Sequence, residues 1–88
     1  MIIRIYTEDK NRNRIHAICQ EHLTGYTLIP CEGVWKGVKE QSVVIEVVDS
    51  SLNFPRKACQ KVAREIKDVN KQESVLITIA REDEQFYI

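Results

Sequence analysis

Two segments of helical periodicity, each flanked by strand-like runs, constrain the fold of this chain more than any other feature. Apolar residues recur at helical spacing in IHAICQEHL, residues 15–23, and in PRKACQKVAREIKDV, residues 55–69. The runs around them alternate or are rich in β-branched residues, as strands are. They are IIRIYT at 2–7, YTLIPCEGVW at 26–35, EQSVVIEVVD at 40–49 and ESVLITIARE at 73–82. The predicted order along the chain is therefore β-α-β-β-α-β.

This order predicts a ferredoxin-like α+β sandwich. Right-handed crossovers in the two strand–helix–strand units produce one four-stranded antiparallel sheet, with both helices on the same face. The length of 88 residues fits a single domain over 1–88, whose small stability margin would gain from association with further copies. Pro30 cannot donate to a strand ladder, so it predicts an edge or a bulge in the second strand.

Residues that commonly begin or end helices lie at the ends of both predicted helices. Asp9 and Asn11 are candidate N-caps of the first helix, and Gly25 is well placed to end it. Pro55 is favoured as the first residue of the second helix, and Asn70 as its terminator. The side chains that share the inner helical faces are Ile15, Ile18, Cys19 and Leu23 in the first helix and Ala58, Cys59, Val62, Ala63, Ile66 and Val69 in the second.

The second face of the sheet is the next constraint, because the helices cover only one side. Whichever way the third and fourth strands face, apolar residues must point away from the helices. In the third strand these are Val44 and Val48, or else Val43, Ile45 and Val47; in the fourth they are Leu76 and Ala80, or else Val75, Ile77 and Ile79. Monomers rarely tolerate such a patch, so we expect a homo-oligomer, with a trimer favoured and a dimer second. The alternative is that the tail QFYI folds back over part of this face.

The charge balance and the cysteines limit the partners and the compartment. Lys+Arg and Asp+Glu number 13 each, so no overall charge draws the chain to nucleic acid or to an anionic membrane. Charged residues interrupt any signal-peptide core, and no apolar run reaches the ~18 residues of a membrane span. Three widely spaced cysteines without a CxxC pair indicate reduced thiols. We therefore expect a cytoplasmic protein that binds neither membrane nor nucleic acid.

The stretch CEGVWKGVKEQ, between the second and third strands, is the candidate ligand site. Gly33 and Gly37 would let backbone N–H groups approach an anion closely, and Lys36 would meet its charge. The ring of Trp35 offers a face for a base or a ribose. Arg81, after the fourth strand, is the candidate for a second anion contact. The alternative, equally supported, is a bulged hairpin whose tryptophan packs in a subunit interface.

The segment VWKGVKEQSVVIEV resembles motifs of the CutA and PII families. CutA-type proteins carry W-E-G-K-x-E-x-x-S-E before an apolar third strand, and Trp35, Gly37 and Glu40 match that motif in place. PII signal-transduction proteins carry Q-K-G at the end of their second strand, which Lys36 and Gly37 match in part. The chain is also similar to small phage-encoded proteins with a G-x-W-K-G-x-x-E-x-S core.

This resemblance implies a trimer packed through its sheet faces, with ligands bound in clefts between subunits. PII proteins bind adenine nucleotides there, through the loop after the second strand and basic residues near the fourth. The chain departs from PII by lacking a long loop after Gly37 and a glycine-rich turn in VNKQES, residues 69–74. The small phage proteins imply a more specific role, in which a signal nucleotide of the host is sequestered.

Reactive side chains are present but do not form a catalytic set, so an enzyme is not expected. Cys19 and His22 share a helix face at a spacing that could ligate a metal, but no second close pair supports them. A buried cysteine beside a surface histidine is favoured instead. We expect Arg4 to pair with a carboxylate, either Glu46 or Glu82.

These features together support a non-catalytic module that needs neither cofactor nor metal. It would bind a small anionic ligand, a nucleotide or a nucleotide-derived signal, at the subunit interfaces of a homo-oligomer. Its role would be that of a sensor or of a sequestering sponge, including a phage protein that blunts host defence. The alternative is a protein-binding inhibitor or scaffold that acts through an edge strand or the C-terminal tail.

Overall fold

The six secondary-structure elements follow one another in the predicted order. The computed structural model describes residues 1–48 and 55–80. Its elements are β1 (Ile2–Glu8), α1 (Arg12–His22), β2 (Thr27–Trp35), β3 (Val38–Val48), α2 (Arg56–Asn70) and β4 (Leu76–Ala80). The four strands form one antiparallel sheet in the order β2-β3-β1-β4, which confirms the ferredoxin-like α+β fold and puts Pro30 on an edge strand. Within the described ranges, neither helix has the length and apolar character needed to cross a membrane.

The central strands are buried because both helices pack on one side of them. Ile5 of β1 is fully buried and pairs with Ile45 of β3 on one side and Ile77 of β4 on the other. Burying one isoleucine contributes about 1.5–3 kcal/mol of hydrophobic free energy. Val69, predicted in this core, instead lines a surface cavity beside α1 and is 37% exposed. The residues of the helix layer that do form the core are Ile15, Ile18 and Cys19 of α1, Leu23 directly after it, and Cys59, Val62, Ala63 and Ile66 of α2.

The strand register decides which residues point away from the helices. Arg4 of β1 lies opposite Glu46 of β3 and Thr78 of β4, so these three side chains share the uncovered side of the sheet. Of the alternatives that the sequence allows, the sets Val44 with Val48 and Leu76 with Ala80 lie on this side. We call it the open face, and its residues are Ile2, Arg4, Tyr6, Glu8, Thr27, Ile29, Cys31, Gly33, Trp35, Val38, Glu40, Ser42, Val44, Glu46, Val48, Leu76, Thr78 and Ala80.

The helix boundaries differ slightly from the predicted ones. Gly25 does not end α1, because the helix already ends at His22. Leu23 then takes an extended backbone, keeps its N–H bonded to the Cys19 carbonyl and is itself buried. This exit needs no left-handed residue, so the glycine is not required as a cap. Pro55 occupies the N-cap position of α2, one residue before the predicted helical position.

Polar side chains join the start of α1 to the end of α2. Asn11 is the N-cap of α1 but has a left-handed backbone (φ 54°) and no side-chain cap bond. Its Nδ2 donates to Asn70 Oδ1 at 3.0 Å, and Asn70 Nδ2 donates to the Lys10 carbonyl at 3.1 Å. Asn70 ends α2 as predicted, and these bonds satisfy its buried amide. The other candidate N-cap, Asp9, forms an ion pair with Arg12 instead.

The three cysteines differ in burial, and the two that lie on the predicted inner helical faces are the buried ones. Cys19 and Cys59 are fully buried between the helices and the sheet, whereas Cys31 lies on the open face and is partly exposed. Burial raises the pKa of Cys19 to about 12, with a smaller contribution from nearby Cys59. Burial also raises the pKa of Cys59 to about 11. Neither buried thiol therefore forms a reactive thiolate near neutral pH.

We expect Cys31 to be alkylated first by N-ethylmaleimide, because it is the accessible thiol of the native protein. Mass spectrometry over a time course near neutral pH should show one fast modification, which Cys31→Ser removes. Raising the pH by one unit should leave the reactions of Cys19 and Cys59 slow, since burial raises the pKa of both. Equally fast labelling of all three thiols in the native state would contradict the assigned helix faces.

Candidate functional site

The hairpin between β2 and β3 extends beyond the rest of the described sheet. β1 pairs with β3 only as far as the Glu8–Ser42 pair, whereas β2 and β3 stay paired up to Trp35 and Val38. Residues 33–40 therefore form a two-stranded projection, which we call the hairpin arm. It contains all of the predicted ligand residues except the one that follows β4.

The tip of the hairpin arm is a tight two-residue turn. Lys36 and Gly37 both have positive φ, at 50° and 77°, and join Trp35 directly to Val38. Positive φ at both central positions is the signature of a type I′ hairpin turn, whose twist matches that of the strands. The predicted loop is thus a regular hairpin without a bulge. Gly37 supplies a conformation that other residues adopt at a cost of about 1–2 kcal/mol.

The indole ring and the ammonium group at this tip lie close together. Lys36 Nζ is 5.8 Å from the centroid of the Trp35 ring, within the range of a cation–π contact. Such a contact at an exposed site contributes about 0.5–1 kcal/mol. Trp35 is 66% exposed, so one chain leaves most of this ring and the charge beside it open to other molecules.

Gly33 provides space for side chains of the neighbouring strand. A Cβ added there would lie 2.9 Å from Ser42 Oγ and 3.6 Å from Glu40 Oε1. These two side chains therefore approach the glycine backbone on the open face. A carboxylate in this place does not favour a phosphate contact at Gly33, and the glycine is explained by the close approach of β3.

The predicted site is only partly brought together by the fold of one chain. Trp35, Lys36 and Gly37 are adjacent at the tip, and Gly33 lies on the same strand nearer to the sheet. Arg81, the candidate for a second anion contact, lies outside the described residues. The tip of the arm thus offers an aromatic face and the Lys36 ammonium group side by side, without a surrounding wall from the described part of the same chain.

An ion pair lies among the apolar side chains of the open face. Arg4 Nε donates to Glu46 Oε2 at 3.0 Å, which confirms one of the two predicted partners of Arg4. Both side chains are partly exposed, so solvent weakens the interaction to at most about 1 kcal/mol. Exposed apolar side chains on the same face are Tyr6, Ile29, Trp35, Val38, Val48 and Leu76.

A cleft that the sequence did not indicate lies at the far end of β2 and β3 from the turn. Its volume is about 560 Å³, and Tyr26 in its wall has its hydroxyl 2.7 Å from His16 Nδ1. The walls come from the end of α1, the start of β2 and the end of β3, which meet only in the folded chain. The lining residues are His22, Leu23, Thr24, Gly25, Tyr26, Thr27, Glu46, Val47, Val48 and Pro55.

The spacing of Cys19 and His22 on α1 does not produce a metal site in the described residues. Cys19 is fully buried in the core, as favoured by its apolar neighbours. His22 faces α2 instead, where its Nε2 lies 2.8 Å from Glu65 Oε1. The sequence missed this pair because the two residues are 43 positions apart and meet only through helix packing.

Comparisons with known proteins identify structures of the same fold. No family model and no curated protein matches the chain. A phage SAM lyase in its apo state has a TM-score of 0.66 at 24% identity, over 86% of this chain and 75% of the lyase chain. A PII-like signalling protein from Thermus thermophilus has a TM-score of 0.54 at 16% identity, over 88% of this chain and 78% of its own. The designed protein Foldit4 has a TM-score of 0.50 at 24% identity, over 91% of this chain and 94% of its own.

These likenesses establish the ferredoxin-like fold. The PII-like neighbour agrees with the predicted resemblance at the level of architecture. Identities of 24% and 16% do not carry function from those proteins to this chain.

The type I′ turn predicts that an alanine at Gly37 lowers the stability of the protein, whereas an alanine at Gly25 does not. Gly37→Ala is expected to lower the free energy of unfolding by about 1–2 kcal/mol, because alanine disfavours the φ of 77°. Gly25→Ala is the matched control, since a Cβ there meets nothing within 4 Å and no positive φ is required. Urea denaturation measures both changes. A loss at Gly25 equal to that at Gly37 would contradict the turn assignment.

Proposed function

We propose that the protein is a non-catalytic module that binds a nucleotide or a nucleotide-derived signal between copies of itself. The observation that carries this proposal is the Trp35 ring with the Lys36 ammonium beside it, exposed at the end of an apolar sheet face. An aromatic surface next to a cation suits a base or ribose joined to a phosphate. The module would sense or sequester this ligand in the cytoplasm, where its free cysteines stay reduced.

One chain presents only one side of such a site. Lys36 and Gly37 are exposed, so a ligand on Trp35 would face solvent on its other side. Binding sites usually bury most of a small ligand's surface. A second copy packed on the open face would cover the ligand and also the exposed apolar residues, which monomers rarely leave open. We therefore propose a homo-oligomer, with a trimer favoured over a dimer, and a ligand held between its subunits.

The similar structures support a ligand of this chemical class. One of them is a lyase that acts on SAM, which contains an adenosine, and another is a PII-like signalling protein. SAM carries positive and negative groups, and the hairpin arm offers both charges through Lys36 and Glu40. The phage origin of the lyase supports the more specific role of sequestering a host signal.

Oligomerisation through the open face is tested by matched lysine substitutions. Ile29→Lys puts a charge on the open face, whereas Val69→Lys puts one on α2, and the two positions are 41% and 37% exposed. Ile29→Lys is expected to dissociate the assembly because it would bury an unpaired charge. Val69→Lys should leave it intact. Sedimentation velocity at micromolar concentration measures both, and a monomeric wild-type protein would contradict the shared site.

Ligand binding at the arm is tested by removing the Lys36 charge while keeping the turn. Lys36→Asn is expected to weaken binding by about 1.5–3 kcal/mol, the contribution of a charge-assisted hydrogen bond. Asparagine accepts the positive φ of this position, so the arm should persist. Lys39→Gln is the control, because Lys39 lies on the same arm but faces the other side, opposite Val34. Calorimetry with ATP and with SAM measures the affinities. If both variants and the wild-type protein bind with equal affinity, the arm is a structural hairpin and the ligand site is not there.

Cleavage of SAM is the second candidate function, favoured by the TM-score of 0.66 to the phage SAM lyase. A lyase needs no water or redox partner for the bond that it breaks, so SAM alone suffices for the test. Mass spectrometry would follow SAM during incubation with the protein and with heat-denatured protein. Intact SAM recovered from the complex supports the binding module, whereas consumption of many equivalents per chain replaces it with an enzyme.

A further inference from the structure

Three side chains that can ligate a metal converge where the last turn of α1 meets α2. Glu21 and His22 come from α1 and Glu65 from the middle of α2. One ligand atom from each lies within 4.8 Å of the other two. His22 Nε2 and Glu65 Oε1 are 2.8 Å apart, and the two side chains are 18% and 43% exposed. The cluster lies on the helix layer, away from the open face and the hairpin arm.

The spacing suits a divalent cation of the first transition row. Zn²⁺ binds imidazole nitrogen at about 2.0–2.1 Å and carboxylate oxygen at about 2.0–2.2 Å, so its ligand atoms stand about 3.3 Å apart. The His22–Glu65 contact must therefore open by about half an ångström, and the Glu21 carboxylate must move inward by up to about 1.5 Å. Rotations about the glutamate side-chain bonds provide such movements. His22 is the most buried of the three and would hold the ion to the helix surface.

The donor set indicates which cation would bind. One imidazole nitrogen with carboxylate oxygens suits zinc and its neighbours, whereas Mg²⁺ and Ca²⁺ prefer oxygen ligands alone. Together, two carboxylates and a neutral imidazole carry two negative charges, which a divalent cation neutralises. The nearby thiol, Cys19, is fully buried in the core and does not belong to this set. Three protein ligands leave a fourth tetrahedral position for water or another ligand.

We propose that Glu21, His22 and Glu65 form a divalent-metal site, best suited to Zn²⁺, that links the end of α1 to α2. This site does not depend on the function proposed for the arm. His22 also lines the cleft of about 560 Å³ next to the start of β2. A bound ion would fix the helix end that forms one wall of that cleft, so occupancy of the site would stabilise the wall.

The experiment uses zinc chloride as the probe and a Cys31→Ser background, which removes the accessible thiol. Equilibrium dialysis with elemental analysis is expected to show one Zn²⁺ per chain. Glu65→Gln and His22→Gln should each weaken binding by about tenfold or more, the scale of losing a group that supports a metal site. His16→Gln is the control, because it removes the other histidine of the same helix, whose partner is Tyr26.

Two further measurements keep the test decisive. Zinc should raise the thermal midpoint of the Cys31→Ser protein more than that of the Cys31→Ser, Glu65→Gln variant at the same zinc concentration, since stabilisation by a ligand of the native state falls as its affinity falls. Cobalt(II) should give absorption bands typical of nitrogen and oxygen ligands, without thiolate charge transfer. Zinc affinity that is unchanged by Glu65→Gln and His22→Gln, or the absence of stoichiometric binding, would overturn the proposal and leave a simple His22–Glu65 pair.

Discussion

The burial of the sheet on one side only is the constraint on which the rest of the structure depends. Ile5, flanked by Ile45 and Ile77, lies in the row that both helices cover. Two helices are sufficient to cover one face of a four-stranded sheet, and their buried apolar residues pack against that face. The other face must therefore keep its own apolar residues outside the core, and this explains why assembly and ligand binding are proposed there.

The open face and the hairpin arm are linked through β3. This strand is buried on its helix side by residues such as Val43, carries Glu46 on its open side, and then continues past β1 into the arm. The arm projects because β1 stops at Glu8 while β2 does not stop until Trp35. The aromatic ring and the cation at the tip of the arm are exposed to a partner, but no other part of the described chain surrounds them. The proposed intersubunit site follows from this geometry.

Much of the fold was predictable because hydrophobic periodicity is a local property. The element order, the edge position of Pro30 and most of the core were correct, since each depends on spacing along one segment. The errors concern places where packing overrides the local signal. Gly25 is not a cap, because Leu23 leaves the helix in an extended conformation and is buried. Val69 has a core spacing but lies at the last turn of α2 beside a cavity.

The sequence by itself determined the order of strands and helices and the position of the hairpin with its tryptophan, glycines and lysines. It also limited the partner of Arg4 to two carboxylates. Only the tertiary structure decided which alternate residues of β3 face outward, because a shift of register by one residue exchanges the two faces of a strand. It also decided that Lys36 lies beside Trp35 at a tight turn and that His22 meets Glu65. Contacts between distant segments depend on how helices and strands pack, and residue spacing within one segment does not contain that information.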